Sequence, residues 1–498
     1  MDDGAHVADN NGFPKPEGTS TAGKGTGCGC RRRRWRRIGL ALALLLAVIG
    51  VMAWLLGDGK PSGPPLILTM PSGEKYQFVG TTYGKKNVPP SFEAKLVSAL
   101  PTRLANWARK YVGPQISQYN SGQKFDPPNL FIWFQQMGSN VPARPPGELL
   151  AAWLSDQAGI EAGAMDYPPG FESSVAWHYA SFPVIPRRSR VLELNFYSYG
   201  GSGDLGNLYR PTGSISIPNP LYEKYPEWKP EPVPAEKKAG DLEVRLDDLI
   251  AGGQVGGTSV IKTNGSRGQP YHAASKGQDT VTRFNFSVRS SSGTNEVWVL
   301  QSAELSDATG NVIRNTSFMS SYLAFEGHAR RQLTEWAAYT ESIPGTLWPD
   351  EAAWRLKLEF KRASGFAPQE VVTFKNVPVP AMGTTNYPSF TKKAGGIKVV
   401  LTKFARRPNL TIVGGGLYDM TTYVTAELPG KPKGVAIDFL SMKADAGQAE
   451  QYGSSEPDNF SYRVLVTSIP ANAKTMDFTF VVQKTRAVEF LVKPPKPE

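Results

Sequence analysis

Apolar and polar residues alternate along this chain in short runs bounded by glycine and proline. Tyr76-Gln-Phe78, Val191-Leu-Glu-Leu-Asn-Phe196, Phe284-Asn-Phe-Ser-Val288, Arg355-Leu-Lys-Leu-Glu-Phe360 and Phe478-Thr-Phe-Val-Val482 each put apolar side chains on one side of an extended backbone. Successive side chains of a strand point to opposite faces, so a period of two marks a strand with one face in a core and the other in water. The pattern predicts a mainly β chain built of sandwiches. Helical spacing interrupts it early. Ser91–Leu100 leads through Pro101 into Arg103–Tyr111, where Leu104, Trp107 and Tyr111 recur on one helix face, and Gly147–Leu154 forms a further stretch. These predict helical insertions in the first part of the fold.

A repeat organises the strands. Lys237-Lys-Ala-Gly-Asp-Leu-Glu-Val-Arg-Leu-Asp-Asp-Leu249 aligns with Lys392-Lys-Ala-Gly-Gly-Ile-Lys-Val-Val-Leu-Thr-Lys-Phe404 at an offset of 155 residues. Val372-Thr-Phe374 before Pro378 matches Val488-Glu-Phe490 before Pro494, and both read as closing strands. Glu304-Leu-Ser-Asp-Ala-Thr-Gly-Asn311, with a looser echo at Ala444-Asp-Ala-Gly447, reads as a hairpin turn. A fainter copy opens at Gly73–Phe78 and closes at Ile215–Ile217; Phe182-Pro and Trp348-Pro precede matching strands. Three tandem, related units follow at 65–220, 238–380 and 393–494, each of the size and strand content of an immunoglobulin-like β-sandwich. The first carries the helical insertions, and the second carries Ala329–Tyr339 before its Trp348-Pro loop. A Pro-rich linker occupies 221–237 and a second linker 381–392.

The N-terminal part has a different pattern. Ile38–Leu56 holds no charge and no proline, and as a helix it extends about 28 Å, the thickness of a bilayer core. It is too long for a secretory h-region, and Trp54 suits a membrane interface. Six arginines between Arg31 and Arg37 precede it. This predicts an uncleaved transmembrane signal anchor at 38–57, with a disordered basic tail at 1–37 in the cytoplasm and everything after it exported. The expected placement is a single-pass bacterial inner-membrane protein facing the periplasm, with the lipid bilayer as one partner. Cys28 and Cys30, the only cysteines, lie in the tail, and the remainder carries no disulfide. Gly18–Gly25 resembles a phosphate-binding loop, but Gly25 stands where the magnesium-binding hydroxyl belongs.

Composition adds little chemistry. The 50 glycines and 41 prolines fit a turn-rich β chain, and a net charge of +11 over 498 residues, part of it in the basic tail, does not imply a nucleic-acid partner. His178, His272 and His328 show no metal-ligand spacing; His178, with Glu161, Asp166 and Glu172 upstream, comes nearest to one. No Gly-x-Ser-x-Gly elbow occurs, and Tyr199-Gly-Gly-Ser-Gly-Asp204 reads as a hairpin tip. Asp247 and Asp248 are adjacent, so a strand sends them to opposite faces. No catalytic, cofactor or metal residue is assigned. The expectation is an envelope protein displaying tandem sandwiches for protein binding or scaffolding, without catalysis, with an envelope protein or wall polymer as partner. The alternative is a wall- or polysaccharide-acting enzyme or glycan binder with its site in the first unit, near Asp126, Glu172 and His178. Trp177, Tyr179, Trp336 and Tyr339 are candidate interface aromatics in two of the units.

Overall fold

The computed structural model describes residues 65–69, 75–86, 125–137, 149–155, 161–163, 177–199, 209–251, 261–262, 281–291, 295–315, 332–381, 383, 387–405, 411–413, 416–418, 423–447, 449–458, 460–470 and 472–495, together with Leu46. Pro61–Glu498 forms one compact unit. The described residues are mainly antiparallel β-sheet, and the one helical turn among those beyond Pro65 is the 3-10 turn Pro368–Glu370.

The first sandwich pairs two four-stranded sheets. Its strands are β1 (Ile67–Thr69), β2 (Lys75–Gly84), β3 (Asn129–Met137), β4 (Leu149–Ser155), β5 (Glu161–Gly163), β6 (Trp177–Phe182), β7 (Val191–Tyr199) and β8 (Tyr209–Pro218). The sheet order is β1-β2-β3-β6 against β5-β4-β7-β8. Leu130, Ile132 and Phe134 from one sheet meet Leu192, Leu194 and Phe196 from the other in a common core. These are the positions that the alternation points inward.

The middle sandwich begins with β9 (Ala235–Ala239), β10 (Leu242–Ala251), β11 (Ile261–Lys262), β12 (Val281–Ser290), β13 (Val297–Asp307), β14 (Val312–Asn315), β15 (Ala337–Pro344) and β16 (Trp354–Ser364). The chain then leaves for the third sandwich: β17 (Val371–Pro378), β18 (Phe390–Ala394), β19 (Ile397–Ala405), β20 (Thr411–Val413), β21 (Gly416–Tyr418), β22 (Tyr423–Glu427), β23 (Val435–Ala444), β24 (Glu450–Asp458), β25 (Ser461–Ser468) and β26 (Thr475–Lys484). Finally β27 (Arg486–Val492) returns to the middle one. One middle sheet runs β11-β10-β12-β15, with β9 also on β10; the other runs β14-β13-β16-β27. The third sandwich stacks β17-β26-β23 on β18-β19-β22-β25-β24.

The two closing strands have therefore traded places. A tandem order would pair β17 with β16 and β27 with β26. Instead β16 pairs with β27, Leu356 facing Phe490 and Leu358 facing Val488, and β17 pairs with β26, Val372 facing Phe480 and Phe374 facing Phe478. Val488, Phe490 and Val492 are buried in the middle core, and Val372, Phe374 and Val377 in the third. The matched Val-x-Phe pattern lets either strand fill either slot, so sequence alone does not select the partner. The repeated Lys-Lys-Ala-Gly segments form equivalent two-residue hairpins, β9–β10 and β18–β19. Gly240, Gly395 and Gly396 have positive φ there, which a side chain would resist.

Several expectations are corrected. No helix among the described residues is long and apolar enough to cross a membrane, which overturns the single-pass anchor and the inner-membrane placement. Apolar length is necessary for a span, but crossing needs a continuous helix that satisfies every backbone group, and none of the described helices has that extent. Ile38–Leu56, apart from Leu46, lies outside the described residues, as does the tail. Among the described residues the helical insertions are not found either. Of the stretch predicted at Gly147–Leu154, the described residues 149–154 belong to strand β4, paired on both sides by β5 and β7, because cross-strand partners outweigh the local helix preference of Leu and Ala. Ser91–Leu100 and Arg103–Tyr111 lie outside the described residues.

Candidate functional site

The residues singled out from sequence do not converge. Asp126 sits exposed before β3, where Lys85 donates to it at 2.9 Å and Arg314 of the middle sandwich approaches at 3.5 Å. The Lys85 hydrogen bond, aided by Arg314, holds its carboxyl below the usual range. That favours the ionised form, the opposite of what a general acid requires. His178 lies on β6 opposite Phe134, and Glu161 lies on β5 in the other sheet. Asp166, Glu172, His272, His328 and the tip 200–204 lie outside the described residues. Asp247 falls at a bulge of β10, where it accepts from Arg245 and from the Ser287 hydroxyl; Asp248 accepts from the amide of Leu249. Among the described residues no cluster of His, Cys, Asp and Glu could hold a metal.

The aromatic candidates split by role. Tyr179 packs on Trp133 and Phe131, on the face of β3 turned away from the main core. Tyr339 stacks on Phe286 and receives a hydrogen bond from Gln332. Trp336 lies beneath the Arg245 and Arg289 guanidinium groups, at 5.2 and 4.6 Å. Trp177 is the first residue of β6. Core packing accounts for the two tyrosines.

What the fold does bring together are polar locks between sandwiches. The β13–β14 turn is the first. The Asp307 carboxylate accepts from the Thr309 amide and hydroxyl, the Asn311 amide and the Asn311 side chain, all within 3.0 Å. Burial pushes the Asp307 carboxyl up, and these bonds oppose that push. Asn311, so oriented, clamps Ile185 of the first sandwich: its Oδ1 accepts from the Ile185 amide at 3.0 Å and its Nδ2 donates to the Ile185 carbonyl at 2.8 Å. Beside it, Arg188 donates twice to the buried Glu351 and also to the carbonyls of Tyr225 and Pro226. Burial raises the Glu351 carboxyl, with Arg188 opposing. Val184 enters the middle core while Ile185 stays in the first. The Pro-rich spacer is tied down too: Trp228 lies under Arg355, and the Glu231 amide donates to the Leu491 carbonyl.

The second lock is the crossover itself. Lys361 and Asp438, both buried, pair at 2.8 Å across the two sandwiches. Gln483 accepts from the Arg362 amide at 2.7 Å, donates to the Arg362 carbonyl at 2.9 Å and reaches Asp438 at 3.2 Å. Its side chain thus serves both backbone groups of Arg362 near the end of β16, as a ladder partner would. The Arg362 guanidinium pairs with Glu296 and Glu370, and the Thr485 hydroxyl donates to Glu359. Thr485 alone separates β26 from β27, so the connector between sandwiches is one residue long.

Such groups are costly to bury unless all are paired, and once paired they resist any shear that would unpair them. The geometry therefore makes rigid joints. Sequence reasoning missed these residues because Lys361, Asp438 and Gln483 lie far apart in the chain and none belongs to a local motif. Only the Asp-x-Thr-Gly-Asn turn carried a readable signal. No family model, curated protein or solved structure matches the chain.

Proposed function

We propose that the chain is a non-catalytic scaffold whose sandwiches act as one stiff display module for a binding partner. One observation carries this reading. The middle and third sandwiches exchange their closing strands and seal the crossover with buried, mutually paired polar groups. A spacer or display module needs joints that hold position under load, and strand exchange supplies them more firmly than a linker does. The carboxylates buried among the described residues support the same reading: Asp307 is bound by its own turn, Glu351 by Arg188 and Asp438 by Lys361. Each serves structure, and Asp126 is held in the ionised state.

The test is in-cell crosslinking of the full chain through a C-terminal tag, beside a chain ending before Ala235. The reading predicts a reproducible partner that the shortened chain loses. Conversion of a polysaccharide by the purified full chain, abolished in His178→Ala or Asp126→Asn, would overturn it.

A further inference from the structure

The outer face of the β18-β19-β22-β25 sheet differs in charge from its counterpart in the middle sandwich. Lys393 and Lys398 sit directly opposite each other, both exposed, at the end of the β18–β19 hairpin. Like charges in that position destabilise a sheet. The equivalent pair in the middle sandwich, 155 residues earlier, is Lys238 and Glu243, joined at 3.1 Å. The same reversal occurs again on this strand. Asp248 of the middle sandwich is matched by Lys403, which a bulge at Thr402 turns outward between the buried Leu401 and Phe404.

Lys403, Thr425 and Arg463 then form one row across three strands, Lys403 facing Thr425 and Thr425 facing Arg463. Two strand spacings separate the cations by about 10 Å. Tyr423 lies between them, with Lys403 at 5.0 Å and Arg463 at 4.9 Å from its ring. The Lys393–Lys398 pair stands about 13 Å away along the strands, the bulge absorbing one residue. Among the described residues of β18, β19, β22 and β25 the one acidic residue on this face is Glu427, which accepts from the Thr402 hydroxyl at 3.0 Å; the edge strand β24 adds Asp458, opposite Ser461. Local rules broken without a structural gain mark functional positions.

We propose that this face binds a linear acidic polysaccharide, its carboxylates bridging the Lys393–Lys398 pair and the Lys403–Arg463 row. The proposal rests on the display reading and names the surface displayed. The arrangement favours a glycan over other polyanions. Single-stranded nucleic acid is held largely by stacking bases on open aromatic rings, and Tyr423 has its ring taken by cations. A flat sheet face does not enter a duplex groove. Membrane surfaces are held by basic residues with exposed apolar anchors beside them, and the apolar residues on this face, Val400 and Leu465, are half-buried.

The experiment titrates the full chain with polygalacturonate, uncharged dextran, duplex and single-stranded DNA, and phosphatidylglycerol vesicles, at low and raised salt. Polygalacturonate is expected to bind, dextran not, with affinity falling as salt screens the charges. K398E/K403D installs the residues of the middle sandwich and should weaken binding about tenfold or more, with the thermal midpoint kept or raised. K393Q/R463Q should weaken it similarly and serves if the first variant misfolds. No binding of polygalacturonate, or binding unchanged in both variants, overturns the proposal. Tighter binding of DNA or vesicles, lost in the variants, overturns it in favour of that polyanion. A crosslinked partner retained by K398E/K403D while polygalacturonate binding fails leaves the display reading standing and removes this inference alone.

Discussion

Replacing Phe490 with Ala separates the exchanged arrangement from a tandem one. Phe490 is fully buried on β27, opposite Leu356, and packs in the middle core. Emptying a buried Phe site costs about 3–5 kcal/mol, the transfer of the ring plus the cavity left behind. The loss should fall on the middle sandwich, although Phe490 follows the third in sequence. Hydrogen exchange followed by mass spectrometry reads this directly. If exchange proceeds through opening of the sandwich, about 4 kcal/mol speeds amides in β13 and β16 by roughly a thousandfold. Those of β19 and β22 should change far less. Trp298, Trp348 and Trp354 are buried in the middle core, and residues 371–484 contain no tryptophan. Tryptophan fluorescence should therefore register the F490A transition at lower denaturant, by about 2 M urea. F374A, the matched change on β17, should speed exchange in β23 and β26 instead. The reverse assignment, F490A loosening the third sandwich and F374A the middle, would refute the exchange.

Asp438→Ala breaks the buried ion pair with Lys361 and should cost about 3–5 kcal/mol, whereas K361M/D438L should cost much less; a double-mutant cycle by urea unfolding checks both. Asn311→Ala strips both backbone groups of Ile185 and should cost about 2–4 kcal/mol, with faster proteolysis between the first and middle sandwiches. Glu341 on β15 faces the buried Phe284, and burial holds its carboxyl above the usual range. A folded value above the unfolded one contributes stability below the unfolded value, about pH 4.3, and loses it as pH rises through the folded value. Glu341→Gln should therefore raise the melting temperature at neutral pH, and the gain should shrink toward acid; a melting series across pH tests the sign.

Local patterns carried the strands. Residues such as Leu192, Leu194 and Phe196 alternate because one face of β7 is buried, and that rule needs no knowledge of partners. The Lys-Lys-Ala-Gly hairpins and the Asp-x-Thr-Gly-Asn turn were legible for the same reason, since turn chemistry acts within a few residues. Helix preference misled at Gly147–Leu154, where pairing with β5 and β7 decides the outcome. The apolar run at Ile38–Leu56 set a length, but length does not place a helix.

The sequence by itself determined the β class, the strand faces and the hairpin turns, because each depends on neighbours two to five residues away. Tertiary structure alone decided which sandwich each closing strand completes. Val372-Thr-Phe374 and Val488-Glu-Phe490 present the same buried pattern, so either slot satisfies the hydrophobic term. The difference between the two pairings lies in long-range polar contacts. Lys361 meets Asp438 and Arg362 meets Gln483 only once the end of β16 is brought against β23 and β26 of the third sandwich.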